Sequence, residues 1–192
     1  CKFDQIIVLE SEEEGKGKST AIEVLAGDGF FSDQQVLGLD EKTQQEAAIG
    51  IWLFEIADLK GLRRSDIEHV KAFASRKVDR ARPAYGRFRI DKPRRCIYFA
   101  TTNESDYLKS DTGNRRFWPV QVGEVDLAGL RAIREQLWAE AAVAERAGET
   151  IVLDKTLWSA ARSEQEDRLE REPWTDLIMQ YLEKEKQSDV TI

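Results

Sequence analysis

The sequence predicts an α/β fold: a mostly parallel central sheet flanked by helices, with an inserted basic β-hairpin. Three observations predict it. Short continuous apolar runs, Ile6-Ile7-Val8-Leu9, Ile51-Trp52-Leu53-Phe54 and Cys96-Ile97-Tyr98-Phe99-Ala100, have the length and composition of strands buried on both faces. Segments with helical spacing of apolar residues alternate with them. Residues 77–90 turn extended, with Pro83, Gly86 and alternation through Arg87-Phe88-Arg89-Ile90, the pattern of a hairpin or two-sided loop.

In chain order, the first strand runs into a polar, glycine-bearing segment. A helix over 18–26 follows, with Ile22 and Leu25 on one face and Gly27 as its stop. The second strand closes at Glu55. Ser65-x-x-Glu68 is a capping-box signature ahead of Ile67, Val70 and Phe73 at helical spacing. The third strand ends in Thr101-Thr102-Asn103, and a fourth is expected over 117–122. Residues 126–147 read as a long amphipathic helix with Leu130, Ile133, Leu137, Trp138 and Ala141 inward. Further helices are expected over 157–170 and 174–183. Trp118, Trp138, Trp158 and Trp174 read as core anchors or interdomain contacts, Cys96 as a small core residue, and His69 as an exposed helix residue.

At 192 residues, 41% hydrophobic and 34% charged, the chain has the composition of one globular domain with or without a fragment of the next. No run reaches the ~18 apolar residues of a membrane span, and no signal peptide opens the sequence, which predicts a cytoplasmic protein with no membrane partner. Two cysteines and one histidine exclude a disulfide framework, a histidine metal cage and any histidine-based triad. The only methionine is Met179, so an excised piece of a longer chain is expected. The net charge of −7 is unevenly spread. Residues 60–95 hold thirteen Lys and Arg against four Asp and Glu, a basic block in an acidic protein and the footprint of a polyanion-binding face or of a solvated surface.

The first strand, loop and helix enclose Gly15-Lys16-Gly17-Lys18-Ser19-Thr20. In a phosphate loop of this kind, backbone N–H groups at a helix N-terminus cradle phosphates. The lysine, here Lys18, reaches the β/γ-phosphates, and the next hydroxyl, Ser19, ligates Mg²⁺. Glu12 stands where the G-x-x-x-x-G-K-[ST] pattern has its first glycine, and Glu12-Glu13-Glu14 must point outward to tolerate a bound triphosphate. Hydrolysis also needs a metal-side carboxylate, a polar group to orient water and positive charge for the transition state. Glu55, with Asp58 three residues on, fits the first, and Asn103 at a strand end fits the second. Arg115 or Arg116 in Gly113-Asn114-Arg115-Arg116-Phe117-Trp118-Pro119 fits the third.

The blocks GKGKST, WLFEIADL, VKAFASRKVDRARPAYGRFRID, PRRCIYFATTN and TGNRRFWPV, in that order, resemble the virulence-associated protein E family over residues 6–174. These are phage and genomic-island replication proteins whose core resembles superfamily 3 helicases within the AAA+ class of P-loop NTPases. The resemblance implies ATP and Mg²⁺ as cofactors, a Walker A at Gly15 to Thr20, a Walker B ending at Glu55, a sensor Asn103 and an arginine finger at Arg115 or Arg116. It further implies a DNA-contacting segment carrying Lys71, Asp79, Arg80, Arg82 and Tyr85. Lys77, Arg87 and Arg89 on the same hairpin would add phosphate contacts to single-stranded or forked DNA, in a ring that is hexameric in the full-length protein. Residues 1–172 would form the ATPase core, and 173–192 the start of a winged-helix-like region. Two other readings are an inactive nucleotide fold kept for DNA binding or assembly, and a P-loop kinase or switch acting on a small molecule.

Overall fold

The structure, a computed structural model, describes residues 3–35, 38–82, 86–110 and 112–170, with positions 174, 178 and 181. Five strands make one parallel sheet: β1 (Ile6–Glu10), β2 (Phe31–Ser32), β3 (Leu53–Ile56), β6 (Ile97–Thr102) and β7 (Phe117–Gln121), ordered β2-β3-β6-β1-β7. Two more, β4 (Val78–Ala81) and β5 (Ile90–Pro93), form a separate antiparallel hairpin. The helices are α1 (Lys18–Ala26), α2 (Glu41–Ala48), α3 (Arg64–Ala74), α4 (Leu127–Arg146) and α5 (Trp158–Glu166).

Alternation along β1 builds a core on each face of the sheet. Ile6 and Val8 join Phe54, Tyr98 and Ala100 against Ile67, Val70 and Phe73 of α3. Ile7 and Leu9 face the other way, where Ile22 and Ala26 of α1 pack with Leu53 and Phe99. Both faces are covered, which is why the strands read as unbroken apolar runs. The chain leaves β1 towards β2 on one side and later crosses from β6 to β7 on the other. β1 is therefore the switch point of an open parallel sheet, and the crevice at its carboxyl end is the place where such sheets bind ligands.

Several expectations are corrected. The second strand begins at Leu53 rather than Ile51, and Glu55 lies within it rather than closing it. Trp52 precedes the strand, 43% exposed, with its ring against Phe30 and Trp138. The α3 cap sits two residues earlier than Ser65-x-x-Glu68: the Arg63 N–H donates to the Asp66 carboxylate at 3.1 Å. The long helix has the expected extent, but Ile133 and Leu137 are exposed because α4 packs on α1 rather than on the sheet. Its anchors are polar: Trp138 Nε1 and Arg134 Nε both donate to the Leu25 carbonyl, at 2.9 and 3.1 Å. The helix expected over 157–170 is shorter, ending at Glu166, and Trp158 and Trp174 are exposed at 55% and 68% rather than core anchors. The expected helix and winged-helix-like start over 173–192 lie outside the described residues apart from isolated positions.

Candidate active site

The loop from β1 to α1 turns on two glycines in the left-handed region, Gly15 (φ 75°) and Gly17 (φ 80°), the second capping α1. A side chain would strain either position. This turn aims the first backbone N–H groups of α1 into a cavity of about 670 Å³ lined by all six residues from Gly15 to Thr20 together with Asp58, Thr101, Thr102 and Asn103. Glu12, Glu13 and Glu14 are exposed, but Glu14, with Glu104, lines the same cavity, so it does not point away from the loop as expected. Lys16 pairs with Glu13 at 2.6 Å and with Glu124. The hydrogen bond it donates to the Glu124 carboxylate is the main reason its ammonium is pushed up to about 12.

Three strand ends then converge. Lys18, 7% exposed, donates to Ser11 Oγ at 2.6 Å and Asn103 Oδ1 at 3.0 Å. Burial lowers its pKa, with the Glu14 charge opposing. Among the described residues the ammonium is hydrogen-bonded to neutral oxygens only, with the Glu14 charge near but not paired to it, and an incoming phosphate would supply a direct counter-anion. Glu55, 3% exposed, accepts from Ser19 Oγ at 2.6 Å and Thr101 Oγ1 at 2.8 Å. Asn103 Nδ2 is buried without an acceptor among the described residues, an orphan donor on a residue that lines the same cavity. Asp58 adopts φ 50°, ψ 63°, and its carboxylate accepts from the Gly61 N–H at 3.3 Å, which holds a strained non-glycine residue on the cavity wall. Loop, carboxylate and amide expected from three separate segments thus meet at one site.

Ser19 Oγ and the Glu55 carboxylate are hard oxygen donors already in contact, a fit for Mg²⁺ bound through one or two protein oxygens and completed by phosphate and water. Ser11 and Thr101, which fix Lys18 and Glu55, escaped the sequence reading. The doubled Thr101-Thr102 at a strand end was the available signal. A third unforeseen group lies beside them. Glu10, the last residue of β1, takes a bidentate ion pair from Arg168 and a 3.0 Å hydrogen bond from the Tyr107 hydroxyl. Burial raises the Tyr107 pKa, and the Glu10 charge adds to it.

Arg115 and Arg116 do not join this site. They form a turn immediately before β7, and Phe117 is level with Ile6, so they stand at the strand-start end of the sheet while the loop leaves from the strand-finish end. Arg116 is engaged locally, its Nε donating to Ser75 Oγ at 2.9 Å and lying 4.0 Å from Asp4. Arg115 is exposed and makes no hydrogen bond or ion pair among the described residues.

The basic segment divides in two. Lys71 is buried, donating to Glu68 at 2.9 Å and the Thr112 carbonyl at 2.7 Å above the Phe117 ring, so it is not a surface contact. Asp79, 6% exposed, is the buried partner of Arg94. Arg80 is exposed but forked onto Asp91 directly across the hairpin, at 2.6 and 2.8 Å. Lys77, Arg82, Arg87, Arg89 and Lys92 are exposed, as is Phe88 at 80%. Tyr85 lies outside the described residues.

The family model for the virulence-associated protein E-like domain matches residues 1–170, and the chain belongs to that family. No curated protein matches it. Among solved structures, the chain is similar to the apo NrS-1 C-terminal region (305–718), with a TM-score of 0.55 at 10% identity over 88% of this chain and 44% of that one. It is also similar to the A form of the same region, with a TM-score of 0.49 at 10% identity over 94% and 43%. The chain thus spans less than half the length of these structures, and the first likeness supports the fold alone.

Proposed function

We propose that the chain is the ATP-hydrolysing core of a mobile-element replication protein, a P-loop ATPase of the AAA+/superfamily 3 helicase-like kind that works on single-stranded or forked DNA. The observation that carries this reading is the convergence of Lys18, Ser19 and Asn103 on one crevice at the switch point of a parallel sheet, with Glu55 buried directly behind Ser19 and Thr101. The backbone N–H groups of the Gly15–Thr20 turn and the Lys18 ammonium bind the β- and γ-phosphates. Ser19 and Glu55 would hold Mg²⁺, which would neutralise charge on the phosphate oxygens. Glu55 would orient the attacking water and take up its proton, with Asp58 on the cavity wall as the second carboxylate. Asn103 turns its orphan Nδ2–H towards the γ-phosphate or the water. Positive charge for the transition state comes from Arg115 of a neighbouring copy, in a ring that is hexameric in the full-length protein.

Lys18→Ala tests the reading. Phosphate release stimulated by single-stranded DNA is expected to fall by about 10²-fold or more. An unchanged rate would leave a nucleotide fold kept for DNA binding or assembly. On the DNA side, the free cations of the hairpin track the strand's phosphates and Phe88 offers a base-stacking face. Replacing Arg82, Arg87 and Arg89 together by Ala should lower the slope of log affinity against log salt by about 2 for single strands. Arg80→Ala, which removes an already paired cation, should change it least.

A further inference from the structure

The phosphate-loop cavity carries a second lysine for which the hydrolysis scheme has no role. Lys16 lies between Gly15 and Gly17 and lines the cavity beside Lys18. The two lysines are held in opposite ways. Lys18 is buried and hydrogen-bonded to the neutral oxygens of Ser11 and Asn103. Lys16 is clasped by two carboxylates, Glu13 at 2.6 Å and Glu124, whose side chains are 74% and 83% exposed. Glu124 belongs to the connection from β7 to α4, on the far side of β1 from Asn103. Neither loop nor connection depends on this clasp for its conformation. The Glu13 carbonyl accepts from Ser11 Oγ at 2.8 Å, and the Val122 N–H donates to the Glu10 carbonyl at 2.8 Å. Leu127 Cδ1 comes within 3.6 Å of where a Cβ on Gly17 would stand, so the connection also packs on the turn through apolar atoms. Lys16 is thus held by side chains in water, and it can change partners without a backbone movement.

Charge decides which partner Lys16 would take instead. All three groups are ionised at neutral pH: the Lys16 hydrogen bond holds the Glu13 carboxyl below the usual carboxylate range, and Glu124 pushes the ammonium up. Pairs between exposed side chains gain little in high dielectric and are screened by salt. A polyphosphate gathers more negative charge into one ligand, and it would meet Lys16 on a wall that already offers backbone N–H groups. We propose that Lys16 is a second phosphate-binding cation of the crevice, kept from its ligand by Glu13 and Glu124, which compete with the polyphosphate for it. This rests on the ATPase reading above and deepens it. The acidic residues beside the loop set nucleotide affinity by occupying a cation that the ligand needs, beyond any repulsion they exert across space.

A double-mutant cycle on the full chain tests this, read by equilibrium binding of a fluorescent ATP analogue and of inorganic tripolyphosphate, a probe without a base. Both are titrated with Mg²⁺ at about 0.15 M salt, where charges far apart are screened. Glu13→Gln/Glu124→Gln should tighten binding of either probe by about fivefold, and Lys16→Gln should weaken it by about fivefold. In the Lys16→Gln background the two glutamines should change affinity by less than about twofold, because the cation they release is gone. Glu14→Gln/Glu104→Gln is the control for charge acting across space. Both carboxylates line the cavity without pairing to Lys16 among the described residues, so their removal should act equally with Lys16 present or absent. Circular dichroism and the thermal midpoint without ligand check folding, with shifts of no more than about 2 °C expected. Glutamine effects of equal size in both backgrounds, Lys16→Gln binding as wild type does, or wild type that binds neither probe would each overturn the proposal. Coupled binding in a wild type that releases no phosphate would remove the ATPase reading and keep the role of Lys16. Hydrolysis that depends on Lys18, with additive effects around Lys16, would do the reverse.

Discussion

Arg115→Ala is expected to bind ATP as wild type does and to hydrolyse it about 10³-fold more slowly, the low end of what a trans arginine contributes. The split follows from geometry. In the proposed reading, phosphate binding needs only groups of one chain, the Gly15–Thr20 turn and Lys18 at the finishing ends of β1 and β6. Arg115 sits at the starting end of β7, exposed and without a partner among the described residues, at the opposite end of the sheet from those groups. Arg116→Ala is the control. Its guanidinium is committed to Ser75, so its loss should be felt in stability more than in turnover. Equilibrium nucleotide binding and single-turnover phosphate release measure the two halves separately. Mixing provides a sharper check: Arg115→Ala has an intact loop and no finger, Lys18→Ala a finger and no working loop. Mixed in equal amounts they should recover part of the activity that neither has alone. Equal hydrolysis by Arg115→Ala and wild type would remove the finger role.

Much of this site was legible because its chemistry is sequence-local. A strand, a glycine turn and a lysine–serine pair occupy one stretch, and each later contributor stands at the end of an apolar run. What lay beyond reach depends on which surfaces meet. α2 has the sequence Glu-Lys-Thr-Gln-Gln-Glu-Ala-Ala, without an apolar stripe, and it docks through Gln45, whose amide donates to the Asp79 carbonyl at 2.6 Å. No hydrophobic period announces such a helix. β2 is two residues long and exists by pairing with β3. Periodicity found α4 and its ends but not its partner. A stripe of Leu130, Ile133 and Leu137 does not say whether it meets a sheet or lies half exposed beside another helix. The basic block misled in the same way. Charge counts cannot separate Arg82, exposed on the hairpin, from Arg80, spent on Asp91, or from Lys71, buried under Thr112.

Asp79 is the clearest case, and Asp79→Ala is expected to destabilise the fold by roughly 3–5 kcal/mol. Its carboxylate receives two hydrogen bonds from Arg94, one at 2.8 Å, and the two side chains are only 6% and 4% exposed. The same guanidinium donates to the Phe73 carbonyl and, at 2.5 Å, to the Tyr98 hydroxyl, and it lies 4.0 Å from the centre of the Phe73 ring. Arg94 therefore ties the base of the hairpin to α3 and to the middle of the sheet. Removing Asp79 leaves a desolvated cation with neutral partners only, and that uncompensated charge, more than the lost contact, sets the size of the effect. For a chain this long the thermal midpoint should drop by roughly 6–20 °C. Replacing both members, Asp79→Leu with Arg94→Met, removes the stranded charge and should recover most of the loss, whereas the two single effects would sum to far more. Affinity for single-stranded DNA separates this from a contact role. At a temperature where Asp79→Ala remains folded, its binding should be within about twofold of wild type, since a buried carboxylate neither meets nor repels the strand. A selective change in DNA affinity with an unshifted thermal midpoint would return Asp79 to the DNA-facing surface.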